Sequence, residues 1–342
     1  MPRDRFVFAS VVVLGSLVAA GAQTPTPTPA LDRRGKPLPF GVQPYYLPDV
    51  PLGTGPYKAI MSQEKGLSEQ VAYFPADLSK RGAGKLPIVA WGNGACMYAG
   101  NRFRGFLTEI ASHGYLVIAA GPLQDKELEV GPQENPAPRQ SGAAPPPAPP
   151  APDPANPPGR VTMAMMKHGI DWALEQNADA GSKFHDRLDT QHIVSMGQSC
   201  GGGLAVQLAI DDPRVTALGV WHSGAGLGQR GNEAAIALEK IRGPVLIITG
   251  AQPLDIAFES GRNTFERINH VPVFYAWRDG MQHIGTYGAA NGGELGQIAW
   301  SGSSGPPAAI PPPPACSKAR RAGCARTPPG TSRGRRSINS PE

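Results

Sequence analysis

Six short apolar runs punctuate the chain without alternating polar partners: LPIVAW (86–91), YLVIAA (115–120), HIVSM (192–196), VTALGVW (215–221), PVLIIT (244–249) and VPVFYAW (271–277). A strand that is apolar at nearly every position must be covered on both faces, as strands are in a parallel sheet flanked by helices. The segments between the runs follow the helical period instead. In NRFRGFLTEIASHG, Phe103, Phe106, Leu107, Ile110 and Ala111 share one face and Gly114 can end the helix; in VTMAMMKHGIDWALEQ, Met163, Met166, Ile170 and Ala173 do the same. Residues 201–211, 231–241 and 256–268 are predicted as further helices. Strand and helix alternate, which predicts an α/β fold: a doubly wound, mostly parallel sheet with helices on both faces. Ligands in such sheets bind beyond the carboxyl ends of the strands, so the loops after the strands are where chemistry is expected.

One of those loops carries GQSCG (197–201), a G-x-S-x-G pattern between the run HIVSM and the helix-like GGGLAVQLAI. That context predicts a sharp strand-to-helix turn that aims the Ser199 hydroxyl out of the sheet. Glycine is needed there because Cβ atoms at Gly197 and Gly201 would meet neighbouring backbone. Ser199 would also sit at a helix N-terminus, where free N–H groups favour developing negative charge. The alternative reading of the pentapeptide is an ordinary glycine-rich turn.

A serine hydroxyl needs a base to become a nucleophile. His283 lies after the last strand, in RDGMQHIGTYG, and is the preferred base. His222 also lies beyond a strand end and is its rival, whereas His270 precedes its strand and belongs to the other edge of the sheet. Asp255, in ITGAQPLDIAF after the preceding strand, is the preferred acid to orient the imidazole, with Asp279 and Glu259 as rivals. The chain order Ser199, Asp255, His283 is the one such turns carry in α/β sheets. Two backbone donors for an oxyanion are expected from Cys200 and from the loop GNGAC after LPIVAW, where Ala95 donates, or Cys96 if the alignment is one residue off. Met97, Tyr98, Trp221 and His222 are candidates for lining an acyl pocket, each equally readable as packing.

Composition changes the picture at the two ends and in the middle. Arg3 and Arg5 precede an apolar stretch from Phe6 to Ala20 that ends in Ala20-Gly21-Ala22, the layout of a secretory signal peptide over residues 1–22; an uncleaved anchor is the alternative. A Pro-rich linker over 23–50 leads to a domain expected over 51–302, interrupted at 132–158 by a segment with 12 prolines that is expected to be disordered. The tail, 303–342, carries seven Lys/Arg and one Glu, so its +6 exceeds the +5 of the whole chain and leaves the rest near −1. The basic balance therefore belongs to a tail expected to be disordered and does not argue for a nucleic-acid-binding fold. No C-x-x-C or zinc spacing is present, and neither cofactor nor metal is expected. The expected setting is secreted or periplasmic, as a monomer without stable membrane insertion once the signal is removed.

Together IVAWGNGAC, EIASHGYLVIAAG, SMGQSCGGGLA and HIGTYG resemble exported α/β hydrolases of the dienelactone-hydrolase, cutinase and polyesterase neighbourhood, over roughly residues 60–300. The resemblance implies the α/β-hydrolase fold and a Ser-His-Asp esterase that works on small-molecule or polymeric esters through an acyl-enzyme, without cofactor. A serine peptidase and an inactive binding protein on the same fold are the alternatives. In this fold the loops carrying Cys96 and Cys200 both face the oxyanion, which leaves two readings open: a Cys96–Cys200 disulfide, or two small buried thiols packed as apolar residues. Cys316 and Cys324 lie in the tail and either pair or stay free.

Overall fold

The computed structural model describes residues 53–82, 84–124, 159–227 and 235–300, together with a short strand at 325–326. The signal-like segment, the N-terminal linker, the Pro-rich insert and most of the tail lie outside the described residues.

Among the described residues nine strands form one sheet: β1 (Ala59–Ser62), β2 (Gln70–Pro75), β3 (Leu86–Gly92), β4 (Leu116–Ala120), β5 (Leu188–Gln198), β6 (Ala217–Trp221), β7 (Val245–Gly250), β8 (Val273–Arg278) and β9 (Ala325–Arg326). Their spatial order is β1-β2-β4-β3-β5-β6-β7-β8-β9. Strands β4, β3, β5, β6, β7 and β8 run parallel; β1, β2 and β9 join antiparallel at the edges. Helices α1 (Arg104–Ser112), α2 (Met163–Ala178), α3 (Cys200–Asp211), α4 (Phe258–Arg267) and α5 (Gly293–Trp300) complete the fold.

The continuous apolar runs are explained by what lies on each face. Ile88 and Ala90 of β3, Ile118 of β4, Val220 of β6 and Ile247 of β7 enter one core with Met166 and Ile170 of α2 and Val206 of α3. Their neighbours Val89, Trp91, Val117, Trp221 and Ile248 enter a second core with Phe106, Leu107 and Ile110 of α1 and Leu295 of α5. Each strand thus divides its side chains between two buried interfaces, and the polar residues that enter them, Gln70, Ser195 and Thr249, are each hydrogen-bonded.

The structure departs from the sequence expectation in four places. The helix expected over 231–241 is reduced to a 3₁₀ turn at Leu238–Lys240, with residues 231–234 outside the described set. Strand β5 begins at Leu188, four residues before the apolar run, because Leu188 and Asp189 pair with Leu86 and Pro87 of β3 ahead of a register shift at Pro87/Ile88. Strands β1 and β2 lie outside the six runs; β1 forms the edge, and β2, paired on both sides, buries all six of its residues. In the tail, Ala325–Arg326 adds a short antiparallel rung to β8.

Candidate functional site

Strand β5 ends at Gln198 and α3 begins at Cys200, leaving Ser199 alone at the turn with φ 53° and ψ −122°. A residue with a side chain is strained at positive φ, and such strain persists only where surrounding contacts over-determine it. Here the Ser199 N–H donates to the Trp221 carbonyl at 3.0 Å, and its own carbonyl accepts from the Ser223 hydroxyl at 2.7 Å. The Gly202 and Gly203 N–H groups donate to that same carbonyl. The flanking glycines are steric necessities: a Cβ on Gly197 would overlap the Gly201 carbonyl, and one on Gly201 would overlap the Gly92 backbone. Helix and strand approach so closely that only bare backbone fits between them.

The Ser199 Oγ lies 2.8 Å from His283 Nε2, and His283 Nδ1 lies 2.7 Å from Asp255 Oδ1. Asp255 is 2 % exposed. Its carboxylate accepts four hydrogen bonds: from His283 and the Ala257 N–H at 2.8 Å on Oδ1, and from the Gly250 N–H at 2.7 Å and His222 Nδ1 at 2.7 Å on Oδ2. Burial pushes the Asp255 carboxyl upward, but the bonds from His222, His283 and the backbone outweigh it and hold the group well below the usual carboxylate range. The rival acids lie elsewhere: Glu259 is exposed and pairs with Arg262 at 2.7 Å, and Asp279 is exposed in a turn. His270 bonds the Ile241 carbonyl at 2.7 Å and takes no part in this cluster.

The loop after β3 is built around Asn93, which is fully buried. Its Nδ2 donates to the carbonyls of Met97, Ala99 and Ala120, while its Oδ1 accepts from Trp91 Nε1 at 3.0 Å. With both ends of the amide satisfied, the loop can hold Ala95 at φ 53° and Cys96 at φ 50°. The Cys96 N–H is committed to the Asn93 carbonyl at 3.1 Å. Neither the Ala95 N–H nor the Cys200 N–H has a hydrogen-bond partner among the described residues. A disulfide joins Cys96 to Cys200 with a Cα separation of 5.3 Å. Arg160 lies over this junction, its guanidinium 3.6 Å from the Cys200 sulfur.

Two of the four residues expected to line a pocket are core residues. Trp221 is fully buried and packs against Phe106 at 5.2 Å between ring centres; His222 is fully buried and bonded to Asp255. Trp221 ends β6 and His222 follows it directly, and both are turned away from solvent. Met97 and Tyr98 are part-exposed, and the Tyr98 hydroxyl bonds Glu69.

Three contributors escaped the sequence reading. Gln198 is buried, with its Nε2 donating to the His283 carbonyl at 3.1 Å. Ser223 braces the Ser199 carbonyl. Tyr287 is buried under the His283 loop, its ring 5.0 Å from Phe103, 5.1 Å from Phe106 and 5.8 Å from His222. The phrase HIGTYG carries the only sequence signal for Tyr287, and nothing local signals the other two.

His222, Asp255 and His283 also place ligand-type atoms within 4.8 Å of one another. Both histidine Nδ1 atoms already face the carboxylate at 2.7 Å, so the grouping is built as a hydrogen-bonded set rather than as an open metal cage.

A parallel sheet with a Gly-x-Ser-x-Gly elbow after β5, and with the histidine and aspartate loops beyond β8 and β7, is the architecture of an α/β hydrolase. The chain belongs to the dienelactone hydrolase family, whose profile matches residues 94–283. A search of curated proteins returns no match. Among the described residues no helix is long and apolar enough to cross a membrane.

Proposed function

We propose that this hydrolase is an exported serine esterase that cleaves carboxylic esters through an acyl-enzyme. The observation that carries the reading is the continuous chain from Ser199 Oγ to His283 Nε2 at 2.8 Å and from His283 Nδ1 to Asp255 Oδ1 at 2.7 Å. Ser199 Oγ attacks the ester carbonyl carbon and its proton passes to His283 Nε2. The resulting oxyanion takes the N–H groups of Ala95 and Cys200, which have no hydrogen-bond partner among the described residues and sit on the facing loop and at the elbow. Their N–H groups are fixed before substrate arrives, since Asn93 holds one loop and the Cys96–Cys200 bond ties it to the other.

The tetrahedral species collapses, the alkoxide leaves with the proton from His283, and the acyl group stays on Ser199. Water then adds to the acyl carbon, gives its proton to His283 Nε2, and the acid is released as Ser199 recovers its hydrogen. Asp255 remains ionised throughout and stabilises the imidazolium, which fits a carboxyl held below its usual range. Export is supported by the basic, apolar and small-residue sequence of segments at 1–22.

A panel of p-nitrophenyl esters of graded acyl length, run beside chromogenic peptide amides, tests the reading. Ester turnover lost in Ser199→Ala, with amides untouched, supports it. Efficient amide cleavage would make the protein a peptidase.

A further inference from the structure

Asp255 serves two histidines, and only one of them can reach Ser199. His222 closes β6, is fully buried, and holds φ at 44°. Its Nδ1 lies 2.7 Å from Asp255 Oδ2, the oxygen that His283 does not use. Its Nε2 is buried and has no hydrogen-bond partner among the described residues. The space around Nε2 is closed: a Cβ on Gly285 would come within 2.8 Å of it, and the rings of Tyr287 and His283 stand 5.8 and 6.1 Å from its centre.

An imidazole chosen only to fill this space is a poor choice, because an apolar ring would fill it without burying an unpaired nitrogen. What the imidazole offers, and an apolar ring does not, is the Nδ1–H aimed at Asp255. Burial outweighs that bond and pushes His222 below the ordinary histidine range, so the ring is neutral, with its proton on Nδ1 and a bare lone pair on Nε2. A neutral donor suits the site. It fixes the carboxylate without placing a second cation beside the imidazolium that His283 becomes.

We propose that His222 is a positioning residue for the hydrolytic reaction: its Nδ1–H locks the Asp255 carboxylate so that Oδ1 faces His283. This rests on the roles assigned above to Ser199, His283 and Asp255. The groups that face the set are few. His222 meets Asp255, His283 and Tyr287; His283 meets Ser199, Asp255 and His222. The Tyr275 hydroxyl bonds Thr249 at 3.0 Å and the Phe258 carbonyl at 3.0 Å, and it feels the Asp255 charge. Burial raises both tyrosines, Tyr275 to about 12, so neither titrates where the enzyme works.

The test is the pH profile of ester hydrolysis by full-length protein carrying His222→Asn, His222→Gln or His222→Phe. The asparagine amide nitrogen occupies the place of Nδ1; the glutamine nitrogen reaches the place of Nε2, and phenylalanine offers no donor. Phe and Gln are expected to lower kcat by about 10- to 100-fold with KM within about twofold, and to move the acid limb upward by about half a pH unit. Asn is expected to keep kcat within about threefold of the parent, with the limb unmoved. A folded Phe variant with parental kcat and limb overturns the proposal, as does an Asn variant as impaired as Gln. If Phe does not fold, the Asn–Gln comparison decides on the same criteria. Ser199→Ala, measured alongside, separates the outcomes: its retained activity would refute the triad, not the role of His222.

Discussion

The side-chain amide of Gln198 donates to the backbone carbonyl of His283 at 3.1 Å, so the residue before the nucleophile holds the loop that carries the base. Its Oε1 fills the space beside Gly94, in the loop of the expected oxyanion donor. One buried amide therefore touches two of the three loops on which the chemistry depends. Replacing Gln198 with Ala loosens the His283 loop and removes the bond to the part-buried His283 carbonyl. The expected result is a fall in kcat of about 10- to 100-fold with little change in KM, measured by steady-state ester hydrolysis. An unchanged kcat would show that the His283 loop does not depend on Gln198, its remaining holds being the His283 N–H bond to the Leu254 carbonyl and the packing of Tyr287.

The Cys96–Cys200 bond closes a sequence separation of 104 residues and ties the Asn93 loop to the nucleophile turn. A crosslink over so long a loop stabilises by about 2–4 kcal/mol, or roughly 5–15 °C in Tm for a domain of this size. Cys96→Ser/Cys200→Ser protein is expected to melt lower by that amount and to lose kcat as well, because the two oxyanion donors are then free to separate. Differential scanning calorimetry with and without reductant, beside activity, checks both. Peptide mapping that recovered Cys96 and Cys200 as separate alkylated thiols from protein made in an oxidising compartment would refute the bond.

The parts of this site that the sequence reveals are those set by local rules. Gly197-Gln198-Ser199-Cys200-Gly201 needs only the steric logic of a tight strand-to-helix turn, and the apolar runs need only the rule that doubly covered strands have no polar face. Asp255 and His283 follow from their place after successive strands. The remainder depends on distant pairs. His222 looks like a rival base or a pocket wall until the fold buries it against Asp255, 33 residues on in the chain. The 3₁₀ turn at Leu238–Lys240 replaces an expected helix, and β2 hides its strand character in a short polar-led run, Gln70–Pro75. Gln70 is tolerated in that buried position because its side chain bonds the Met165 carbonyl of α2 at 3.0 Å, a partner 95 residues away.

Acid should destabilise the fold in two stages. His222 is held below its ordinary value of 6.5 by burial, so the unfolded chain takes up a proton first as pH falls through that value, and stability is lost from there downward. Asp255 is held below 3.8, so the stability its bonds supply is intact above that value and is lost as pH falls toward the folded-state value. His222→Asn keeps a donor to Asp255 but cannot titrate. Its Tm is expected to fall less steeply than the parent's between about pH 6.5 and pH 5. His113, also held low by burial, preserves part of that slope. Thermal melts across this window measure the difference, and parallel slopes would show that His222 is not buried neutral.

If Ser199 is the nucleophile, it displaces fluoride from a fluorophosphonate and keeps the phosphonyl group, and the most direct measurement is mass spectrometry of the intact protein and its peptides after that treatment. The account predicts a single adduct on the peptide carrying Ser199, formed in step with the loss of ester hydrolysis and absent from Ser199→Ala and His283→Ala proteins. An enzyme that hydrolyses esters while Ser199 stays unmodified, or that keeps its turnover after Ser199→Ala, would contradict it.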